Sequence, residues 1–167
     1  MTYPAFFCSG IKTTMNKNTI EQINDDFKQA MKSGDKVKLE TLRSLRAALK
    51  DREIALRGEG KELSDEEILA TLTSAAKKRR ESIDEYTKAG RPERADEESN
   101  ELKIIQEYLP AQLSTEEIES KVRAAIEQTG ASSMKDMGKV MSSVMPELKG
   151  RADGKEVQNI VKKLLGG

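Results

Sequence analysis

The chain has 167 residues, with 29 basic and 29 acidic side chains, one cysteine and no histidine. Charge balance excludes a global basic field that would draw it to nucleic acid or anionic lipid, so any such contact has to come from local clustering. The missing histidine removes the commonest general base and metal ligand at neutral pH, and one cysteine excludes an internal disulfide or a multi-cysteine zinc site.

The length suits one domain or two small ones. Charged residues make up 35% of the chain and aromatics only 4%, and Leu, Ile, Ala, Lys and Glu are abundant. That composition predicts an all-α protein. No apolar run approaches the roughly 20 residues of a membrane span. The expected setting is therefore a reduced, cytoplasmic compartment without membrane contact, and no cofactor or metal is expected.

Residues 1–15 do not match the rest. The run MTYPAFFCSGIKTT lacks the basic start and long apolar core of a signal peptide. It reads as an upstream extension before Met15 or as a disordered N-terminus. Helix one is predicted over about 19–32, with Ile20, Ile23, Phe27 and Met31 on one face. Ser33-Gly34-Asp35 breaks it. Helix two, about 36–57, carries the line Leu42, Leu45, Leu49 and Leu56. Ser64 and Glu67 form a capping box opening helix three, about 65–88. Its apolar face holds Ile68, Leu72, Ala75, Ala76, Ile83 and Tyr86. Pro92 opens helix four, which Pro110 ends after Leu109.

Residues 110–113 read as a linker between a four-helix N-terminal subdomain (16–109) and a smaller three-helix C-terminal subdomain (114–167). A second capping box, Ser114 with Glu117, opens helix five, whose face is Ile118, Val122, Ala125 and Ile126. Two short helices close the chain. The first presents Met134, Met137, Met141, Val144 and Met145, with Gly138 suggesting close packing or ligand approach. Pro146 is expected at a boundary, like the other prolines. The second presents Val157, Ile160, Val161 and Leu164, with Asp153 and Glu156 as a third capping box.

Three cation clusters are candidates for phosphate contact. On helix two, Lys36, Arg43, Arg46, Lys50 and Arg57 fall in one sector about 80° wide, beside the leucine line. Such a ridge either follows a nucleic-acid backbone or is a solvated face paired with acids. In the run 77–80, Lys77 and Arg80 are candidate surface contacts. Arg79 instead points into the apolar face and demands a carboxylate, from Glu98 or Glu101. The loop with Lys149, Arg151 and Lys155 precedes a helix N-terminus, which favours anions, although Asp153 as cap competes for the same N–H groups. No catalytic motif is present, and no catalytic residue is expected.

The segments LRSLRAALKDREI (42–54), KKRRESIDEYTKAGRPERADEESNELKIIQEYLP (77–110) and DMGKVMSSVMPELKGRADGKEVQNIVKKLL (136–165) together resemble the GatB/YqeY family. The likeness runs over about 16–165 and is nearest to stand-alone YqeY-like proteins. The last segment is similar to the tail domain of GatB, a subunit of tRNA-dependent amidotransferase. The resemblance implies an all-helical fold and an accessory role in tRNA binding or tRNA metabolism. It also implies a family-level link to carbon–nitrogen ligase activity with glutamine as amido donor, exercised as part of a complex rather than alone. The alternative it leaves open is an adaptor docking on an amidotransferase or aminoacyl-tRNA synthetase through the methionine-bearing C-terminal face.

Overall fold

The computed structural model of the chain describes residues 16–166, so the reading of 1–15 as an extension lies outside the described residues. Seven α-helices follow one another: α1 (Asn16–Ser33), α2 (Lys36–Gly58), α3 (Asp65–Lys88), α4 (Pro92–Gln106), α5 (Thr115–Thr129), α6 (Met137–Leu148) and α7 (Gly154–Leu165). A 3-10 turn, Met134–Asp136, precedes α6. The fold is all-α, as the composition predicts, with no strand among the described residues.

The starts of α2, α3, α5 and α7 are fixed by capping oxygens. The Asp35 carboxylate accepts from the Lys38 amide at 3.0 Å. Ser114 and Glu117 make the full reciprocal box, with bonds of 3.3 and 2.8 Å. The other two boxes are incomplete. Ser64 and Asp153 do accept from helix amides, but the Glu67 carboxylate is taken by Arg52 at 2.7 Å and that of Glu156 by Thr115 at 2.9 Å. A cap needs one oxygen near the helix end, whereas the return bond competes with any tertiary donor within reach.

Two apolar clusters form. Ile23, Leu42, Leu45, Leu72, Ile105 and Tyr108 centre the first, from α1–α4. Ile118, Val122, Val140, Val144, Val157 and Val161 centre the second, from α5–α7. Each fully buried aliphatic side chain contributes about 1.5–3 kcal/mol.

Some expectations are corrected. The α-helical hydrogen bonding of α4 stops at Gln106 rather than Leu109, and Tyr108 and Leu109 instead donate to Ile105 and Gln106 three residues back. Pro110 disfavours the α conformation in the residue before it, which tightens that last stretch. Pro146 lies inside α6 rather than at its boundary. It sits in the last turn and forgoes the N–H that would donate to the Ser142 carbonyl, so the loss falls two residues before the helix ends. Gly138 faces open space, so close packing does not explain it. In α6 the buried line is Val140, Val144 and Leu148, and Met137, Met141 and Met145 flank it half-buried. Met134 alone of that set is exposed.

Tyr108 ties α1 to the end of α4 by donating its hydroxyl proton to Asp26. Burial pushes the phenol pKa well above its usual 10.0, and the bond to Asp26 adds to this. The folded state thus favours the neutral phenol. That contribution is complete below the unfolded value near pH 10 and is lost as pH rises through the raised one. Tyr108→Phe is expected to cost about 1 kcal/mol at neutral pH. It should also show a shallower fall in stability above pH 10 than the wild type, measured by urea unfolding at pH 8 and 11.

Candidate nucleic-acid interface

Helix α2 divides into three stripes because its leucines recur with helical period. The buried stripe is Leu42, Leu45, Leu49 and Leu56, with Thr41 bonded back to the Val37 carbonyl at 2.8 Å. On one flank the five predicted cations, Lys36, Arg43, Arg46, Lys50 and Arg57, all stand exposed. The structure therefore brings them to one helix face, over about six turns.

The ridge carries two acids as well. Arg43 pairs with Glu40, three residues back. Glu53 receives both Lys50 at 2.8 Å and Arg57 at 3.0 Å. The bond from Lys50 chiefly holds the Glu53 carboxyl below its usual range. Five cations against two carboxylates leave a positive surplus. These pairs are solvent-exposed and weakly held, so a phosphate can exchange for a carboxylate at little cost.

Arg46 is positioned differently. Its Nε donates to Asn24 Oδ1 at 2.8 Å, and its guanidinium carbon lies 4.4 Å from the centre of the Phe27 ring. Both partners come from α1. A small cavity of about 380 Å³ beside them is lined by Arg46, Lys50 and Glu53 over Ile20, Ile23 and Leu49. Glu40 falls outside the cation sector by helical angle, yet three residues along a helix are neighbours and it reaches Arg43. Asn24 and Phe27 were not legible in the sequence, because the contact depends on how α1 packs on α2.

Lys77, Arg80 and Lys155 meet in a second cavity of about 360 Å³, between α3 and the start of α7. Acids balance them there. Arg80 bridges to Asp153 at 3.4 Å, and Lys155 lies 3.9 Å from Asp84. Glu81 and Glu156 complete the lining. Only Lys77 of the three has no ion pair among the described residues. Arg80 also reaches Gln112, at 3.5 Å. It acts as a strut between α3 and the chain around 112 and 153.

The loop after α6 is likewise occupied by its own chain. Arg151 Nε donates to the Ala111 carbonyl at 3.2 Å, and the Arg151 carbonyl accepts from the Leu113 amide at 2.8 Å. Gln112 Nε2 donates to the Gly150 carbonyl at 2.7 Å. Asp153 takes the amides of Lys155 and Glu156, leaving those N–H groups unavailable to an anion. Lys149 remains exposed; it adds to the effect of the Arg52 hydrogen bond in holding the Glu67 carboxyl low. The ten predicted cations therefore separate into an exposed ridge on α2, free Lys77 and Lys149, and a group built into the junction.

Among the described residues no helix is long and apolar enough to cross a membrane, and no group of acids and cysteine is placed to hold a metal. Comparison with known proteins gives the relationship. The curated relatives include the protein named "Altered inheritance of mitochondria protein 41, mitochondrial" from three organisms. The one from Vanderwaltozyma polyspora is 30% identical over 138 residues, covering 78% of this chain and 72% of the relative. That from Eremothecium gossypii is 32% identical over 113 residues, covering 66% and 61%. The Saccharomyces cerevisiae protein is 28% identical over 148 residues, covering 88% and 68%. A family model described as "Yqey-like protein" matches residues 20–165, which takes in both apolar clusters and the α2 ridge, and the chain therefore belongs to the YqeY-like family.

Proposed function

We propose that the chain is an accessory RNA-binding module for tRNA, working beside a glutamine-dependent carbon–nitrogen ligase rather than as one. The observation that carries this reading is the exposed α2 ridge, where five cations share one face of a nearly neutral protein. Cations spaced by helical turns on a rigid rod suit a phosphate backbone, and they read shape rather than sequence. With aromatics at 4% of residues, stacking on splayed bases has little to work with. A cytoplasmic setting is part of the proposal; the mitochondrial names of the relatives make the organelle the competing compartment, which imaging of the tagged full chain distinguishes.

The test is a tRNA titration at two salt concentrations. Binding by the wild type should weaken with salt, with log affinity falling against log salt by about 0.7–0.9 for each phosphate engaged. Arg43→Glu/Lys50→Glu should lose at least about tenfold in affinity and flatten the salt slope. Absence of binding at low salt would remove the reading. Consumption of glutamine and ATP by the pure chain with charged tRNA would overturn its accessory character.

A further inference from the structure

A groove of about 870 Å³ lies between α2 and α3, on the flank of the α2 leucine stripe opposite the cation ridge. Its walls are small side chains at helical spacing: Ser44, Ala48 and Ala55 from α2, and Ala70, Ser74 and Ser82 from α3. Leu45 and Ile105, both buried, form the apolar floor. From Ser44 to Ala55 the groove runs roughly 16 Å, about three helical turns.

The charges along it are not balanced. Both arginines in the lining are already engaged, Arg52 by Glu67 at 2.7 Å and Arg79 by Glu98 and Glu101 at 2.9 and 2.8 Å. Asp51, Glu81 and Glu85 also line the groove, and none has an ion-pair partner among the described residues. Lys78 is the lone unengaged cation of the lining. Carboxylates beside low-dielectric walls focus a negative potential on the groove.

We propose that this groove docks a helix of a protein partner, with small or aliphatic residues on its seam and lysine or arginine at its edges. Small walls let a third helix axis approach at the close end of the usual 8–10 Å range. A helix satisfies its own backbone, whereas an extended segment would bring unpaired amides against α2 and α3, which have none to offer in return. Asp51, Glu81 and Glu85 select a basic helix and repel RNA. The nucleic-acid ridge and the protein groove thus occupy opposite flanks of one helix, and the inference stands independently of tRNA binding.

The probe is a fluorescent lysine–alanine–leucine peptide of about five helical turns, titrated into the full chain by anisotropy beside a glutamate-for-lysine counterpart. The lysine peptide should bind and the glutamate peptide should not. Glu81→Lys/Glu85→Lys should weaken the lysine peptide at least about tenfold. Ala48→Leu/Ser74→Leu, which fills the groove, should do the same, while Arg43→Glu/Lys50→Glu leaves binding unchanged. Backbone NMR shifts on titration should centre on Ala48 and Ser74. Circular dichroism establishes that each variant folds; the exposed-charge variant keeps the test decisive if the groove-filling one does not. Equal binding of both peptides, equal binding by the charge-reversed variant, or no binding at all would overturn the proposal. So would a sedimentation result in which the wild type self-associates and the groove-filled variant does not, because the occupant would then be a second copy of this chain.

Discussion

Arg79→Met is expected to destabilise the protein by about 2–4 kcal/mol, seen as a lower urea midpoint with an unchanged slope. Arg79 projects from the apolar face of α3 and holds Glu98 at 2.9 Å and Glu101 at 2.8 Å, both on α4. The three side chains keep only 27%, 17% and 26% exposure, so water replaces little of the lost contact. Removing a fully buried partner costs about 3–5 kcal/mol, and the remaining exposure sets the lower figure here. Burial already pushes the Glu101 carboxyl above its usual range, even with Arg79 opposing it and Glu98 adding to it. Without Arg79 that shift grows. A carboxyl with a raised folded pKa adds stability below its unfolded value and loses it as pH rises, so the penalty should shrink toward pH 4. Arg79→Met/Glu98→Gln/Glu101→Gln should recover most of the stability at neutral pH. Wild-type stability in Arg79→Met alone would show that the triad contributes nothing.

Gly150→Ala carries the second large effect, about 2–3 kcal/mol. Two causes add. Gly150 has φ +75°, which costs an L-residue about 1–2 kcal/mol. A Cβ there would also lie 2.7 Å from Leu69 Cδ1 and 3.2 Å from its Cγ, so Leu69 on α3 has to move. The carbonyl of the same residue accepts from Gln112, which in turn faces Arg80. The substitution therefore strains the turn and loosens the seam between α3 and the chain near 112. Faster proteolysis around residues 110–113, alongside the lowered midpoint, is the expected signature. Gly138→Ala serves as the contrast. That glycine has open space around it in a helix, where alanine is the better former, so stability should rise by up to about 1 kcal/mol.

The helices and their apolar faces were legible without coordinates, because a 3.6-residue period and a capping oxygen are local facts. Leu42, Leu45 and Leu49 recur on one face wherever the helix packs, and Ser114 with Glu117 closes a box from four consecutive residues. The need of Arg79 for an acid was legible too, since burial of a cation demands one; that both Glu98 and Glu101 supply it depends on how α4 lies along α3. Family membership also follows from sequence, by the match over residues 20–165.

What the sequence left open concerned partners far apart in the chain. The loop at 149–155 reads from its residue types as an anion site with Asp153 competing as cap; the structure gives Asp153 the amides and also turns Arg151 to Ala111, which no local pattern shows. Arg80 reads as a surface cation, yet Asp153, 73 residues away, claims it. The groove between α2 and α3 had no signal at all. Alanines and serines at Ser44, Ala48, Ala70 and Ser74 look like ordinary exposed helix positions until two rods are set side by side. Periodicity and composition thus determined the helices and their buried faces, and the match over residues 20–165 the family. Only the tertiary structure decided which charges remain available to a ligand, because each ion pair depends on a distance that no local pattern encodes.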